Sequence, residues 1–361
     1  MQSVEAILKQ IQNLYKSYGY AKFKMNKFEE YDTYVKNKDF LISDKVITFT
    51  DTNGKLLAMK PDVTISIIKN TDCEKDALRK LYYSENVYRV TKGSHSFKEI
   101  LQCGLECIGD VDSYSICEVL CLAAKSLLCI SFDAVLDISH MGLVSALLKY
   151  SKINEQGIPR VLNAISEKNI PELKNICEEQ GIDEISKELI LKLVLCNGEI
   201  SVVKEKLQEF CVDEGTTTAV NELKEICENL CDFPFAKIIH VDFSVVNDMN
   251  YYDGIVFKGY VEGVPGGVLS GGQYDRLVEK MGKKAKALGF ALYLDMLERL
   301  FTESKEYDAD ILICYEDGVL PQAVFEKVEM CIQSHKTVLV VKDAQGKMKC
   351  KDMIMLKKEE K

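Results

Sequence analysis

Few side chains in this sequence are of kinds that carry chemistry at a recognisable spacing. Fourteen cysteines and four histidines are present. Cys103 and Cys107, and likewise Cys117 and Cys121, are four residues apart. Structural zinc sites use Cys-x2-Cys spacing or cysteines with histidines close by, whereas His95, His140, His240 and His335 are scattered. The cysteines read as small buried hydrophobes of a reducing compartment, and no metal site is expected. Of the acidic groups, Asp62 in Pro61-Asp62-Val63-Thr64 suits a helix cap, and Glu106 alternates with Cys107 on a half-exposed strand. The richest stretch is 242–297. Tyr252, Ile255, Phe257 and Tyr260 give a first strand its aromatic and β-branched content. Gly263, Pro265, Gly266 and Gly267 break that strand. Ser270-Gly271-Gly272 lets the backbone approach something closely, and Tyr274, Leu277, Val278 and Met281 recur at helical spacing. Ala287–Leu292 reads as an apolar strand-to-helix passage. On spacing alone this stretch is a sheet core with a tight turn.

The elements that position these groups are readable along much of the chain. With 361 residues, 47% of them hydrophobic, the chain is long enough for about two to three domains and for a sizeable core. No run of about 18 apolar residues occurs, so no membrane span is expected. The N-terminus is an amphipathic helix rather than a signal peptide, and a cytoplasmic location follows. A net charge of −10 disfavours nonspecific nucleic-acid binding. Val4, Ile7, Leu8, Ile11, Leu14 and Tyr15 share one face, predicting a helix over 3–18 that Gly19 ends. Residues 20–40 include a strand. Strands at 46–50 and 55–60 form a hairpin, with Asn53-Gly54 suited to positive φ in its turn. Pro61 and Asp62 open a short helix. Residues 80–90 and 97–109 read as a second antiparallel pair, followed by a helix over 112–130, a strand over 132–138 and a helix from 141. From 141 to 235 the pattern is helical throughout, and strands resume at Ala236–Val241. A strand-helix-strand unit occupies 307–361.

Three ordered motifs of the 242–297 stretch resemble the active-site core of the histidyl-tRNA synthetase group. They are the Tyr-Tyr-x-Gly-x-Val-Phe strand from Tyr251, the Ser-Gly-Gly-x-Tyr-Asp-x-Leu turn from Ser270 and the Gly-Phe-Ala helix at Gly289. The resemblance extends to Leu57–Thr64, and to Asn86–Arg89, Ser96–Glu99 and Gln102–Glu106, which are similar to the class II motif 2 hairpin. It covers about residues 1–300. It implies an α+β fold: a class II aminoacyl-tRNA synthetase-like antiparallel sheet flanked by helices, over 1–140 and 236–302, with an all-helical insertion over 141–235. The small C-terminal α/β unit, 307–361, is then a truncated anticodon-type domain. The resemblance also implies a histidine pocket built from Asp62, Thr64, Arg89, Gln102, Glu106, Tyr251 and Tyr252, with the α-amino group at Asp62, Thr64 and Gln102 and the imidazole at Glu106 and Tyr252.

The same comparison of motifs shows departures. Activating an amino acid with ATP needs cations on the polyphosphate, because charge develops on the leaving pyrophosphate. Arg89 is kept, but Asn247, Met296, Thr91 and Lys98 stand where the group has further arginines or an ATP-holding glutamate, and Gln273 replaces another arginine. A methionine cannot clamp phosphate. A kept amino-acid pocket with lost catalytic arginines resembles the ATP phosphoribosyltransferase regulatory subunit family. That implies no catalytic residue, no cofactor, a short-form catalytic subunit as partner in a hetero-octamer, self-dimerisation, L-histidine as effector and no tRNA. A divergent histidyl-tRNA synthetase or other amino-acid-activating ligase, and a free-standing amino-acid sensor, are the alternatives.

Overall fold

The computed structural model describes residues 4–36, 46–71, 77–90, 96–246, 251–297, 300, 307–342 and 348–357. In chain order the first part comprises α1 (Val4–Ser17), β1 (Ala21–Lys22), β2 (Phe28–Glu30), α2 (Tyr31–Val35), β3 (Thr48–Thr50), β4 (Leu56–Met59), α3 (Thr64–Asn70), β5 (Arg79–Val90) and β6 (Phe97–Gly109). α4 (Ser113–Leu128), β7 (Ala134–His140) and α5 (Met141–Tyr150) follow. The largely helical stretch holds α6 (Gly157–Ser166), α7 (Ile170–Glu179), α8 (Glu184–Leu195), β8 (Asn197–Glu199), α9 (Ile200–Lys206) and α10 (Glu214–Leu230). β9 (Ile239–Asp242), β10 (Ile255–Val261), β11 (Leu269–Gln273), α11 (Asp275–Lys280) and β12 (Lys286–Tyr293) complete the main body.

Nine strands form one sheet in the order β1-β5-β6-β12-β11-β10-β7-β9-β8. Its centre is antiparallel, and only β1 with β5 and β7 with β9 pair parallel. One face packs under α1 and α4. Tyr15 sets its ring against Tyr82 and Phe290, and its hydroxyl meets Ser126 Oγ at 3.0 Å in the dry core. The other face carries Glu106 and is closed by α3 and the start of α11. A separate three-stranded sheet, β2-β4-β3, leaves Phe28 and Phe49 exposed and edge-to-face at 4.9 Å.

Several readings change at this level. The β3–β4 turn uses positive φ at Gly54 alone (+81°), with Asp51 Oδ1 accepting from Asn53 N and Lys55 N; the extra residue makes a type I turn with a bulge rather than a two-residue turn. The segment 141–235 is not all helical. β8, three polar residues around Gly198 at φ +133°, joins the edge of the large sheet, too short to show an apolar period. Pro234 starts a short 3-10 turn over Pro234–Ile238, so the next strand begins at Ile239 rather than 236. Gly289-Phe290-Ala291 lies in β12 and not in a helix, because an apolar run buried on both faces has no period to separate the two. For the same reason β6 from Gln102 onward is fully buried rather than half exposed.

The C-terminal unit is β13 (Ala309–Tyr315), α12 (Pro321–Gln333), β14 (Val338–Val341) and β15 (Cys350–Leu356). Its sheet is parallel, ordered β14-β13-β15. The strand-helix-strand expectation omitted β15, whose Met353, Ile354 and Met355 lie among charged residues. Among the described residues, no helix is long and apolar enough to cross a membrane.

Candidate functional site

The site begins with a strand register. Glu106 of β6 stands opposite Leu81 of β5 on one side and Gly289 of β12 on the other. A β-carbon at position 289 would lie 1.7 Å from Glu106 Oε2 and 2.4 Å from the Leu105 carbonyl, so only glycine leaves space for the carboxyl group. The Glu106 side chain is 2% exposed. Its Oε1 accepts from Thr64 Oγ1 at 2.8 Å, and its Oε2 accepts from the Tyr274 hydroxyl. Burial pushes its pKa up to about 8, against the opposing pull of those two hydroxyls.

α3 brings the next groups. Pro61 and Asp62 precede it, and Asp62 Oδ1 accepts from Ile65 N at 3.1 Å, the capping role its position suggests. Asp62 Oδ2 faces Arg89 Nη2 at 3.4 Å, while Arg89 Nε donates to the Pro61 carbonyl at 2.7 Å. Burial raises the Asp62 acid, and the Arg89 guanidinium opposes that shift. Gln102 is 2% exposed, and its Nε2 has no hydrogen-bond partner among the described residues. The rings of Tyr251 and Tyr252 lie 4.4 Å apart and tilted at 50°, with Tyr251 6.0 Å from Tyr274. All seven residues nominated from sequence, Asp62, Thr64, Arg89, Gln102, Glu106, Tyr251 and Tyr252, line one cavity of about 60 Å³.

Sequence reasoning missed Tyr274 as a site residue, because its spacing with Leu277, Val278 and Met281 reads as a helix face. Its ring is buried in the core cluster with those residues, while its hydroxyl reaches Glu106. Tyr83 and Tyr293 also line the cavity, and nothing in their local pattern marks them. Of the departures from the synthetase pattern, Met296 lies in a 3-10 turn over Leu294–Leu297. Lys98 is exposed on β6 opposite Arg89, and Gln273 Nε2 donates to Asp275 Oδ2 at 2.7 Å. Thr91 and Asn247 lie outside the described residues.

The electrostatics are one-sided. The one guanidinium is committed to Asp62 and Pro61, so Glu106 is a buried acid without a cationic partner lining the cavity. Such a group is stabilised by a ligand that brings N–H donors or positive charge. Gln102, with an unmade bond at 2% exposure, asks for a ligand too, since a buried amide without a partner costs about 1–3 kcal/mol.

A largely antiparallel sheet with a long β5–β6 hairpin and a glycine-lined polar cavity beside it defines a class II aminoacyl-tRNA synthetase-like fold. The sequence matches the family model described as histidyl-tRNA synthetase over residues 1–297, and the chain belongs to that family. It is 27% identical over 357 residues to an ATP phosphoribosyltransferase regulatory subunit of Oceanobacillus iheyensis, covering 97% of this chain and 87% of that protein. A crystal structure described as an ATP phosphoribosyltransferase regulatory subunit/histidyl-tRNA synthetase from Bacillus halodurans C has the same fold. Its TM-score is 0.83 at 24% identity, covering 98% of this chain and 94% of that one. A chain of the HisG:HisZ ATP phosphoribosyl transferase complex of Thermotoga maritima shares the fold at a TM-score of 0.61 and 19% identity, covering 81% and 97% respectively.

The raised Glu106 acid has a consequence for stability. An acid whose folded pKa lies above its unfolded value keeps its proton in the folded state while the unfolded chain loses it. Stability therefore falls as pH rises from about 4.5 to about 8. Glu106→Gln removes that contribution. In urea titrations without ligand, the variant should gain on the wild type by roughly 1 kcal/mol per pH unit across this window. Parallel curves from pH 5 to 8 would show that Glu106 is ionised in the empty cavity.

Proposed function

We propose that this chain is a non-catalytic regulatory subunit of ATP phosphoribosyltransferase, and that its buried cavity binds L-histidine as the feedback effector. The observation that carries this reading is the Glu106 carboxyl, buried, unpaired by a cation among the described residues and held in place by Thr64 and Tyr274. An imidazole N–H or imidazolium is the partner such a group lacks, and charge-assisted bonds of this kind contribute about 1.5–3 kcal/mol. The histidine α-ammonium is received by oxygen atoms of Asp62, Thr64 and Gln102, while the unpartnered Gln102 Nε2 is a donor left for an acceptor of the ligand.

The similarity to regulatory subunits across nearly the full chain supports the regulatory role, and the Thermotoga maritima complex supports partnership with a catalytic subunit. That partner is the short form of the enzyme, which is inactive until this chain binds, in a hetero-octamer. A methionine at position 296 supplies no charge to a polyphosphate, which argues against adenylate formation here. On this regulatory reading tRNA is not a partner, and the chain acts in the cytoplasm. The exposed Phe28–Phe49 pair, with Val35 and Leu56 also exposed, supports self-association through the β2-β4-β3 region.

Mixing this chain with a separately purified short catalytic subunit should produce phosphoribosyl-ATP from ATP and phosphoribosyl pyrophosphate, and histidine should suppress it. No product from the mixture, together with histidine-dependent ATP–pyrophosphate exchange by this chain alone, would return the case to a synthetase. Glu106→Ala should weaken histidine inhibition at least tenfold while leaving activation of the partner intact; an unchanged inhibition curve would remove Glu106 from the site. Sedimentation velocity of this chain alone should give a dimer that Phe49→Glu shifts towards monomer, and a wild-type monomer at micromolar concentration would dismiss the self-dimer.

A further inference from the structure

The cavity assigned to histidine holds about 60 Å³. That is far below the roughly 300–1,000 Å³ of a usual small-molecule pocket, so under the proposed reading, on which this inference rests, it must enlarge before an amino acid enters. Most of its walls cannot give way. Glu106 is fastened to Thr64 and Tyr274, and Arg89 to Pro61 and Asp62. β6, β12 and β11 are paired on both sides within the large sheet.

Tyr252 is the exception, because it also lines a second cavity of about 550 Å³. That cavity lies against α5 and α10, where Met141, Ser145, Ala146, Ala219 and Glu222 contribute to its lining. The backbone just after Tyr252 is pinned. Asp253 N donates to the Gln273 carbonyl at 3.2 Å, the Asp253 carboxyl accepts from Asp275 N and Arg276 N at 3.3 and 3.0 Å, and the Gly254 carbonyl accepts from Met141 N at 2.8 Å. The ring itself is held by packing alone, against Tyr251 and the Met141 cluster. It lies against Gly272, where a β-carbon would come within 2.5 Å of its Cδ1, and its hydroxyl has no hydrogen-bond partner among the described residues. Rotation about its side-chain bonds therefore breaks no ladder and no such hydrogen bond.

We propose that Tyr252 is the gate of the effector cavity: its ring turns from the 60 Å³ cavity into the 550 Å³ one to admit histidine, and so presses on the helical segment. The push has somewhere to go. Tyr252 packs on the cluster of Met141, Val245 and Val256, Met141 begins α5, and His140 Nε2 meets Glu222 Oε2 of α10 at 3.1 Å. Occupancy of the buried site is thereby read out as a change in how α5 and α10 sit on the sheet.

The test fills the receiving cavity without touching the histidine site. Ser145 lies on α5 and lines only the larger cavity. By calorimetry on the full-length chain, Ser145→Phe should lower histidine affinity at least tenfold, while Ser145→Ala binds as the wild type does. Equal affinity for wild type and Ser145→Phe overturns the gate and leaves the histidine reading standing; no binding by the wild type removes both. Should Ser145→Phe fail to fold, Tyr150→Trp at the rim provides a second measurement. The chain has no tryptophan, so the emission comes from that residue alone. It should change with histidine over the same concentrations that saturate the calorimetric signal. Binding without any change in emission overturns the gate.

Discussion

A carboxyl group buried between two strands is the constraint from which the centre of this protein follows. Glu106 fits between β6 and β12 only because its cross-strand neighbour is Gly289. Once there, it is too poorly solvated to ionise easily, and two hydroxyls from different elements converge on it. Thr64 ties it to the start of α3, and Tyr274 ties it to the residue before α11. One acid thus links the long hairpin, the glycine turn and two short helices. A buried acid of this kind is weak evidence for stability, since isosteric neutral groups often serve a core as well or better. Its presence therefore calls for a reason other than stability, and the proposed ligand supplies one.

Under the proposed reading, the same geometry accounts for an amino-acid pocket that does not carry out adenylation. Binding an amino acid needs matched donors and acceptors in a small dry space, and these come from strands already fixed in the sheet. Adenylation needs cations placed around a polyphosphate. Arg89, the arginine retained in the second motif, is turned to structural use here, holding the Pro61 carbonyl and the Asp62 carboxylate at the edge of the cavity. If histidine favours one arrangement of an assembly with the catalytic partner, the partner's state must alter histidine affinity by the same factor. The larger cavity beside Tyr252 gives such coupling a physical route into the helical segment, because α5 and α10 line it and are joined by the His140–Glu222 contact.

Much of this was legible in the chain. α1 is visible from Ile7, Ile11 and Tyr15, all fully buried. The β3–β4 and β5–β6 pairs are visible from their content and turn residues. Elements without a period were not legible. β12 is apolar on both faces and passes for a helix, β8 is three polar residues, and β15 is masked by lysines. The seven nominated site residues were reached by motif likeness, and each alone has an ordinary explanation, such as Asp62 as a cap.

The amino-acid sequence by itself determined the family, the order of most elements and the residue types that face the cavity, because these depend on local pattern and motif order. Only the tertiary structure decided that Tyr274 belongs to the site as well as to the core, since its ring and hydroxyl serve different neighbours. Only the structure placed Gly289 beside Glu106, 183 residues apart in the chain, with Glu106 Oε2 1.7 Å from where a β-carbon of residue 289 would sit. Register across strands distant in sequence is set by the whole sheet at once, and no local signal carries it.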